Sequence, residues 1–283
     1  MKAACRYGGE VSKLVPRLVD TALGTIRVQV SDGTGPAVLM WPSLLMTGDL
    51  WAGQAARFGE TNRVVLIDPP GHGGSAPLRA AFSFTDCARC VVDVLDGLGI
   101  DKAHFVGNSW GGMIGATFAA RHPDRLERAV LMNCTASKAG VVQRIRFAAM
   151  LRLASALGGI RPPLTRAAVR SFLGPTTLRG RPEVVETVLA NLHAVDIDSA
   201  RWAVRSVVPD RPDQHALLSR VTAPVLVVAG AEDATFPVAE TRAMADSIPN
   251  ASFTVLDGVA HLAALEDPAR VNRLLDEFLF EVD

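Results

Sequence analysis

Apolar and polar positions follow two different rhythms along this chain. Runs at 25–30, 37–40, 63–67, 103–106, 126–132, 224–229 and 252–256 are short, rich in Val, Ile and Leu, and bounded by turn residues. Such runs predict strands, and nearly uninterrupted ones such as Pro224-Val225-Leu226-Val227-Val228-Ala229 predict strands covered on both faces. A weaker candidate lies at 17–20. Stretches of helical period, as at 84–98, 113–120 and 238–248, alternate with the later runs. The last helix has a start signal: Asp267 can cap it, Pro268 takes its first position, and Val271, Leu274, Leu275 and Phe278 share one face. Strands alternating with helices predict an α/β fold on a mostly parallel, eight-stranded sheet flanked by helices.

The segment 135–212 interrupts that alternation. It is helical in composition but broken at Gly158-Gly159, Pro162-Pro163, Gly174-Pro175 and Arg181-Pro182. It carries Lys138 and eleven arginines against Glu183, Glu186, Asp196, Asp198 and Asp210, a net of +7. The whole chain is formally neutral, so the remainder must be −7. The predicted organisation is one α/β core, 1–134 with 213–283, and a helical insert at 135–212.

Candidate chemistry sits at the ends of the predicted strands. Gly107-Asn108-Ser109-Trp110-Gly111 reads G-x-S-x-G between a strand and a small-residue helix. A Ser on such a turn is pushed out of the backbone envelope with its Oγ exposed at the end of the sheet. Larger side chains at Gly107 or Gly111 would collide with the neighbouring helix or strand. A serine hydroxyl is a weak nucleophile unless a base takes its proton and a third group orients that base. Both follow in chain order. Asp233 lies in the loop Gly230 to Pro237 after one strand, and His261 in Asp257-Gly258-Val259-Ala260-His261 after the next, where open α/β sheets place their sites. Glu232 adjoins Asp233, but successive loop side chains point apart. His104, His122, His193 and His215 read as surface or structural, and His72 as a loop residue shaping the rim of a pocket.

Four segments together, GNSWGG at 107–112, DPPGHGGS at 68–75, GAEDATFP at 230–237 and DGVAHL at 257–262, resemble the α/β-hydrolase superfamily. Within it the similarity is to the 3-oxoadipate enol-lactone hydrolase type and related carboxylic-ester hydrolases. The resemblance spans roughly 25–134 and 212–283. It implies an α/β-hydrolase fold, with Ser109 as nucleophile, Asp233 as acid and His261 as base. It also implies that 135–212 is a helical cap, or lid, after strand 6 that roofs the site. Phe147, Met150, Leu151, Leu153, Leu157 and Trp202 then offer an apolar wall. Arg201 and Arg205 either bind a substrate carboxylate or belong to solvated faces. Trp41, Leu44, Phe236 and Leu262 complete the candidate substrate contacts.

Two departures from the family pattern matter. Relatives usually carry His-Gly after the third strand, whereas here Trp41-Pro42 precedes Ser43. One oxyanion donor is expected from the Trp110 N–H and the other from the Ser43 N–H, with the Ser43 hydroxyl a possible third. Pro42 has no N–H, but that position is not the donor. The second departure is Leu262, where C–C bond hydrolases of the superfamily tend to have Trp.

The implied reaction is hydrolysis of a small carboxylic ester or lactone through an acyl-enzyme. C–C hydrolysis or perhydrolysis by the same triad, and a non-catalytic ligand receptor on this fold, are the alternatives. Dehalogenase and epoxide hydrolase chemistry would want Asp at the position of Ser109. No cofactor or metal is expected. Cys87 and Cys90 have redox-motif spacing but lie one turn apart in a predicted helix, so neither metal nor redox chemistry is read from them. Zero net charge recommends neither nucleic acid nor an anionic membrane as partner. No secretory leader is read in the charged first twenty residues, so Cys5, Cys87, Cys90 and Cys134 are expected reduced in a cytoplasmic monomer or homodimer.

Overall fold

A computed structural model describes residues 13–280; Cys5 and most of the charged amino-terminal stretch lie outside them. Eight strands are present among the described residues: β1 (Val15–Thr21), β2 (Gly24–Val30), β3 (Gly35–Trp41), β4 (Asn62–Ile67), β5 (Ala103–Asn108), β6 (Leu126–Met132), β7 (Val225–Gly230) and β8 (Ala251–Leu256). They form one sheet in the order β1-β2-β4-β3-β5-β6-β7-β8. β1 pairs antiparallel with β2, and β2 with β4, while every pair from β4 to β8 is parallel.

The central strands explain their own sequence. Val38 and Met40 point to one face, Leu39 and Trp41 to the other, and Val64 and Leu66 alternate with Val65 and Ile67 in the same way. Parallel strands covered on both sides need apolar residues at both parities, hence the uninterrupted runs. β1 was hard to read because it lies at the sheet edge, with only Val19 buried. A strand exposed on both faces carries no alternation to detect.

Helices α1 (Ala52–Phe58), α2 (Phe84–Gly97) and α3 (Trp110–Arg121) cover the first half of the sheet. Between β6 and β7 come α4 (Val141–Ala156), α5 (Leu164–Phe172), α6 (Pro175–Gly180), α7 (Pro182–Ala194), α8 (Ile197–Val207) and α9 (His215–Leu218). α10 (Val238–Ala245), α11 (Ala263–Glu266) and α12 (Pro268–Leu275) follow among the described residues. Ser83 caps α2 in a reciprocal box with Asp86, and the Asp267 side chain accepts from the Arg270 N–H at the start of α12. The predicted face of α12 packs as expected: Val271 and Leu275 are buried, and Leu274 and Phe278 pack half-buried against the same cluster. The last turn widens into a π turn at Asp276–Phe280, and Leu279 joins the buried set.

Candidate active site

The helix predicted at 113–120 begins earlier, at Trp110, so Ser109 occupies the turn between β5 and α3 with no linker. Its backbone has φ 57° and ψ −111°, a region that a residue bearing a Cβ adopts only when its surroundings impose it. The surroundings do. The Ser109 N–H donates to the Met132 carbonyl at 2.8 Å, and its carbonyl accepts from the Met113 N–H at 3.0 Å. A Cβ on Gly107 would overlap the backbone of Gly111, and one on Gly111 would overlap the Trp41 carbonyl. Both glycines are therefore needed to bring strand, turn and helix this close.

Three side chains predicted as a set are brought together. His261 Nε2 lies 2.8 Å from Ser109 Oγ, and His261 Nδ1 lies 2.8 Å from Asp233 Oδ2. Asp233 Oδ1 accepts from the N–H groups of Thr235 and Phe236, and Asn133 Nδ2 donates to Oδ2 at 3.2 Å. Neighbouring Glu232 faces elsewhere, accepting from the Thr176 hydroxyl and N–H at the start of α6. All three members are nearly excluded from solvent, with Ser109 3%, Asp233 5% and His261 1% exposed, so their mutual hydrogen bonds face little competition from water.

Two backbone donors are expected opposite the serine. Trp110 is the first residue of α3, where an N–H has no intrahelical acceptor. Ser43 follows β3 and is wholly buried, and among the described residues its hydroxyl finds no partner. A buried hydroxyl without a partner is costly unless something else uses it. His72 holds the turn that carries Ser43. Its Nε2 accepts from the Leu45 N–H at 3.1 Å and its Nδ1 contacts the Pro70 carbonyl at 3.0 Å, which fixes the proton on Nδ1. Leu45 itself sits at φ 64°. His72 is thus buried beneath the loop rather than on a rim, and burial lowers its pKa from the ordinary 6.5.

With strand order, serine turn and hydrogen-bonded triad in place, comparison with known proteins is direct. A family model described as the alpha/beta hydrolase fold matches residues 36–268. The chain belongs to the α/β-hydrolase family. Over 271 residues it is 31% identical to the 2-hydroxy-6-oxononadienedioate/2-hydroxy-6-oxononatrienedioate hydrolase of Burkholderia vietnamiensis, spanning 92% of this chain and 89% of that protein. It is 27% identical over 241 residues to 3-oxoadipate enol-lactonase 2 of Acinetobacter baylyi, spanning 85% and 87%. In fold it is similar to the enol-lactonase from Burkholderia xenovorans, with a TM-score of 0.85 over 94% of this chain and 100% of that one at 24% identity.

Several residues that shape this hydrolase site were not read from the sequence. The backbone of 260–262 has partners throughout. Asn133 donates to the Ala260 carbonyl and Asn108 to the His261 carbonyl, each at 2.8 Å. The Phe172 carbonyl accepts the His261 N–H at 3.2 Å. Glu266 Oε1 accepts from the N–H groups of Ala260 and Leu262, one on each side of His261. Its Oε2 accepts from the Thr177 hydroxyl at 2.6 Å and the Gly174 N–H at 3.4 Å, tying α6 to the same loop. Burial raises the Glu266 carboxyl above its ordinary value, and those four donors oppose the rise. Two weak signals were available: Glu266 is the first acid after the mostly apolar stretch 259–265, and Asn133 stands just past the apolar run 126–132. In the structure Asn133 takes φ 51°, a conformation Asn tolerates.

The substrate-contact candidates separate. Phe236 packs on the His261 ring at 5.6 Å between centroids. Trp41 and Leu262 are 0% exposed, with Trp41 edge-on to Trp110 at 5.6 Å. Leu44 is buried, and Phe147 and Trp202 are half-buried against the same cluster. Leu153 and Leu157, expected on an inner wall, are 40% and 41% exposed on the outside. Phe172, which no pattern singled out, stacks on His261 at 5.8 Å and 21°. Arg201 and Arg205 are not brought to the triad. Arg201 lies at the surface over the Trp202 ring, and Arg205 pairs with Asp210 at 2.6 Å where both side chains are about half exposed. Their solvated reading is the one the contacts fit. Cys87 and Cys90 are buried in α2, and burial raises both thiols, Cys90 to about 12.

Proposed function

We propose that this protein is a serine hydrolase of small carboxylic esters or lactones, working through an acyl-enzyme on Ser109. The observation that carries the reading is the continuous hydrogen-bond chain from Asp233 through His261 to Ser109. In the attack, Ser109 Oγ forms a bond to the carbonyl carbon while its proton passes to His261 Nε2, and Asp233 holds the Nδ1 proton. The carbonyl oxygen gains charge and is met by the N–H groups of Trp110 and Ser43, with the Ser43 hydroxyl as third donor. Collapse breaks the ester C–O bond, and His261 returns its proton to the leaving alkoxide. In a lactone that alkoxide stays tethered to the acyl group. Water, deprotonated by His261, then attacks the ester to Ser109 and releases the acid.

The helical segment 135–212 is proposed as the cap. Its Phe172 supplies both a carbonyl to the His261 N–H and a ring to the imidazole face. C–C hydrolysis by the same groups is the second reading, favoured by the 31% identity to a hydrolase named for dienedioate substrates. Leu262 in place of Trp argues against it.

Fluorophosphonate labelling followed by peptide mapping, with chromogenic esters, lactones and a dienedioate assayed side by side, tests both readings. Label is expected on Ser109, with turnover of esters or lactones. Ser109→Ala should remove label and turnover together, on the order of 10⁴-fold or more, while the thermal midpoint stays within a few degrees. Residual turnover within tenfold of the parent by pure Ser109→Ala protein would overturn the mechanism. Turnover of the dienedioate alone would select the C–C reading.

A further inference from the structure

The exposed face of α4 does not belong to an ordinary water-soluble helix. Of its sixteen residues only Ala154 is buried. Phe147, Met150 and Leu151 turn inward and pack half-buried against the core. Outward stand Val141, Val142 and Ile145, exposed by 70%, 80% and 66%, with Leu153 beside them. At about 100° per residue, Val141, Ile145, Ala149, Val142 and Leu153 occupy roughly one third of the helix circumference. Arg144 and Arg146 border that sector, and Arg152 lies within it. A helix apolar on two sides expects a partner on the second.

The charge around this face has one sign. From Thr135 to Pro182 the chain carries Lys138 and eight arginines and no carboxylate. Lys138, Arg144, Arg146 and Arg152 are all exposed, and among the described residues none has a carboxylate within ion-pair distance. The neutral total for the whole chain conceals this local excess.

We propose that the outer face of α4 docks on the anionic surface of a lipid bilayer, lying in the interface with its apolar residues inserted. Apolar side chains interleaved with arginines match acyl chains below and negative headgroups above, and an arginine stem can reach along the apolar layer while its head stays wet. A second copy fits poorly. A two-fold contact through this face would set Arg144, Arg146 and Arg152 against their own images with no acid to receive them. A nucleic acid would satisfy the guanidiniums but offers nothing to Val141, Val142 and Ile145. Among the described residues no helix is long and apolar enough to cross a membrane, so the contact is one of lying on the surface. The proposal does not depend on the reaction assigned to Ser109.

Co-sedimentation of the full chain with phosphatidylglycerol-containing and pure phosphatidylcholine vesicles tests this. Binding is expected to the anionic vesicles, weak to the neutral ones, and reduced by high salt but no more by inorganic phosphate than by chloride at equal ionic strength. Replacing Arg144, Arg146 and Arg152 together by Gln should lower partitioning roughly a hundredfold, and Val142→Glu with Ile145→Glu should do so comparably. Both variants should keep the parent thermal midpoint, because the altered side chains are exposed. Failure of the parent to bind anionic vesicles overturns the proposal, as does parent-like binding by the Glu variant. A dimer in sedimentation velocity that the Glu variant dissociates, without vesicle binding, would assign the face to a second copy. Oligonucleotide binding lost only in the Gln variant would assign it to nucleic acid.

Discussion

Helices α3 and α4 are built to opposite specifications. Ten of the twelve residues of α3 are buried, against one of sixteen in α4. α3 is made of small residues because it must approach the sheet closely. A Cβ on Gly115 would meet the Phe105 ring at 2.5 Å and Leu131 at 2.7 Å, and one on Gly112 would meet Cys134 Sγ at 2.6 Å. That closeness fixes where Ser109 sits. α4 touches the core through one stripe and leaves the rest outside, so little fixes its position. The proposed reaction and the proposed cap use both: reacting atoms held to a fraction of an ångström, and a cover that can vary without disturbing them.

The harshest test of that contrast is a single added methyl. Gly107→Ala forces a Cβ into the backbone of Gly111, with no flexible side chain to yield. It should cost on the order of 4 kcal/mol or more, or prevent folding, and abolish activity. An equally small change on α4, Ala148→Ser, should shift stability by no more than about 0.5 kcal/mol. Comparable melting shifts from the two would erase the distinction.

Ser43 tests the same rigidity at the opposite wall. Ser43→Pro removes the proposed donor N–H and should lower kcat by on the order of 10² to 10³ with KM little changed. Ser43→Ala keeps the N–H but removes the buried hydroxyl that has no partner. It should leave the thermal midpoint equal or higher while kcat falls about tenfold. A lowered midpoint with normal kcat would show that the hydroxyl serves the fold instead.

Glu266 joins the Ser109–His261–Asp233 set to the helical segment 135–212, since one carboxylate holds both the His261 loop and the start of α6. Glu266→Gln sets an amide N–H₂ against backbone N–H groups, which should cost about 1 to 3 kcal/mol. Fluorophosphonate labelling of still-folded protein should slow with it, because the proposed activation of Ser109 depends on where His261 stands. Unchanged labelling with a lowered midpoint would limit Glu266 to a structural role.

The smallest effect is expected from pH. Burial lowers the pKa of His72, so the folded state prefers its neutral form. The unfolded chain takes up the proton first. The stabilisation is therefore present above about pH 6.5 and lost as pH falls below it towards the lowered folded value. His104 and His122, lowered by burial as well, add to the same limb. The midpoint should drop below pH 6.5, less steeply in His72→Asn. An identical acid limb in that variant would remove His72 from the account.

Legibility followed the same divide. The sheet was readable because strands covered on both faces must be apolar at every position, and the serine turn because its glycines are demanded by backbone contact. Asp233 was readable because it lies just past such a strand, β7, and His261 because it follows the next predicted strand, β8, although only Leu256 of β8 is buried. α4 was not readable in detail. Its inner Phe147, Met150 and Leu151 and its outer Val141, Val142, Ile145 and Leu153 are equally apolar, so periodicity could not choose an inner face, and Leu153 and Leu157 were placed on the wrong side. Arg201 and Arg205 were ambiguous for a related reason. Charge composition fixes how many arginines a segment has, whereas only position decides which meet a carboxylate.

What the amino-acid order determined alone is the local and periodic part: strand and helix types, the strained Ser109 turn, and the chain order of Ser109, Asp233 and His261 at the ends of their strands. These depend on sterics and burial within a few residues of each position. The tertiary structure alone decided the long-range pairings: the Asn108 and Asn133 amides on the His261 loop, Glu266 beneath it, His72 under the Ser43 turn, and Phe172 against the imidazole. Each joins residues dozens of positions apart or asks which way a loop side chain turns, and no pattern along one strand or helix encodes that.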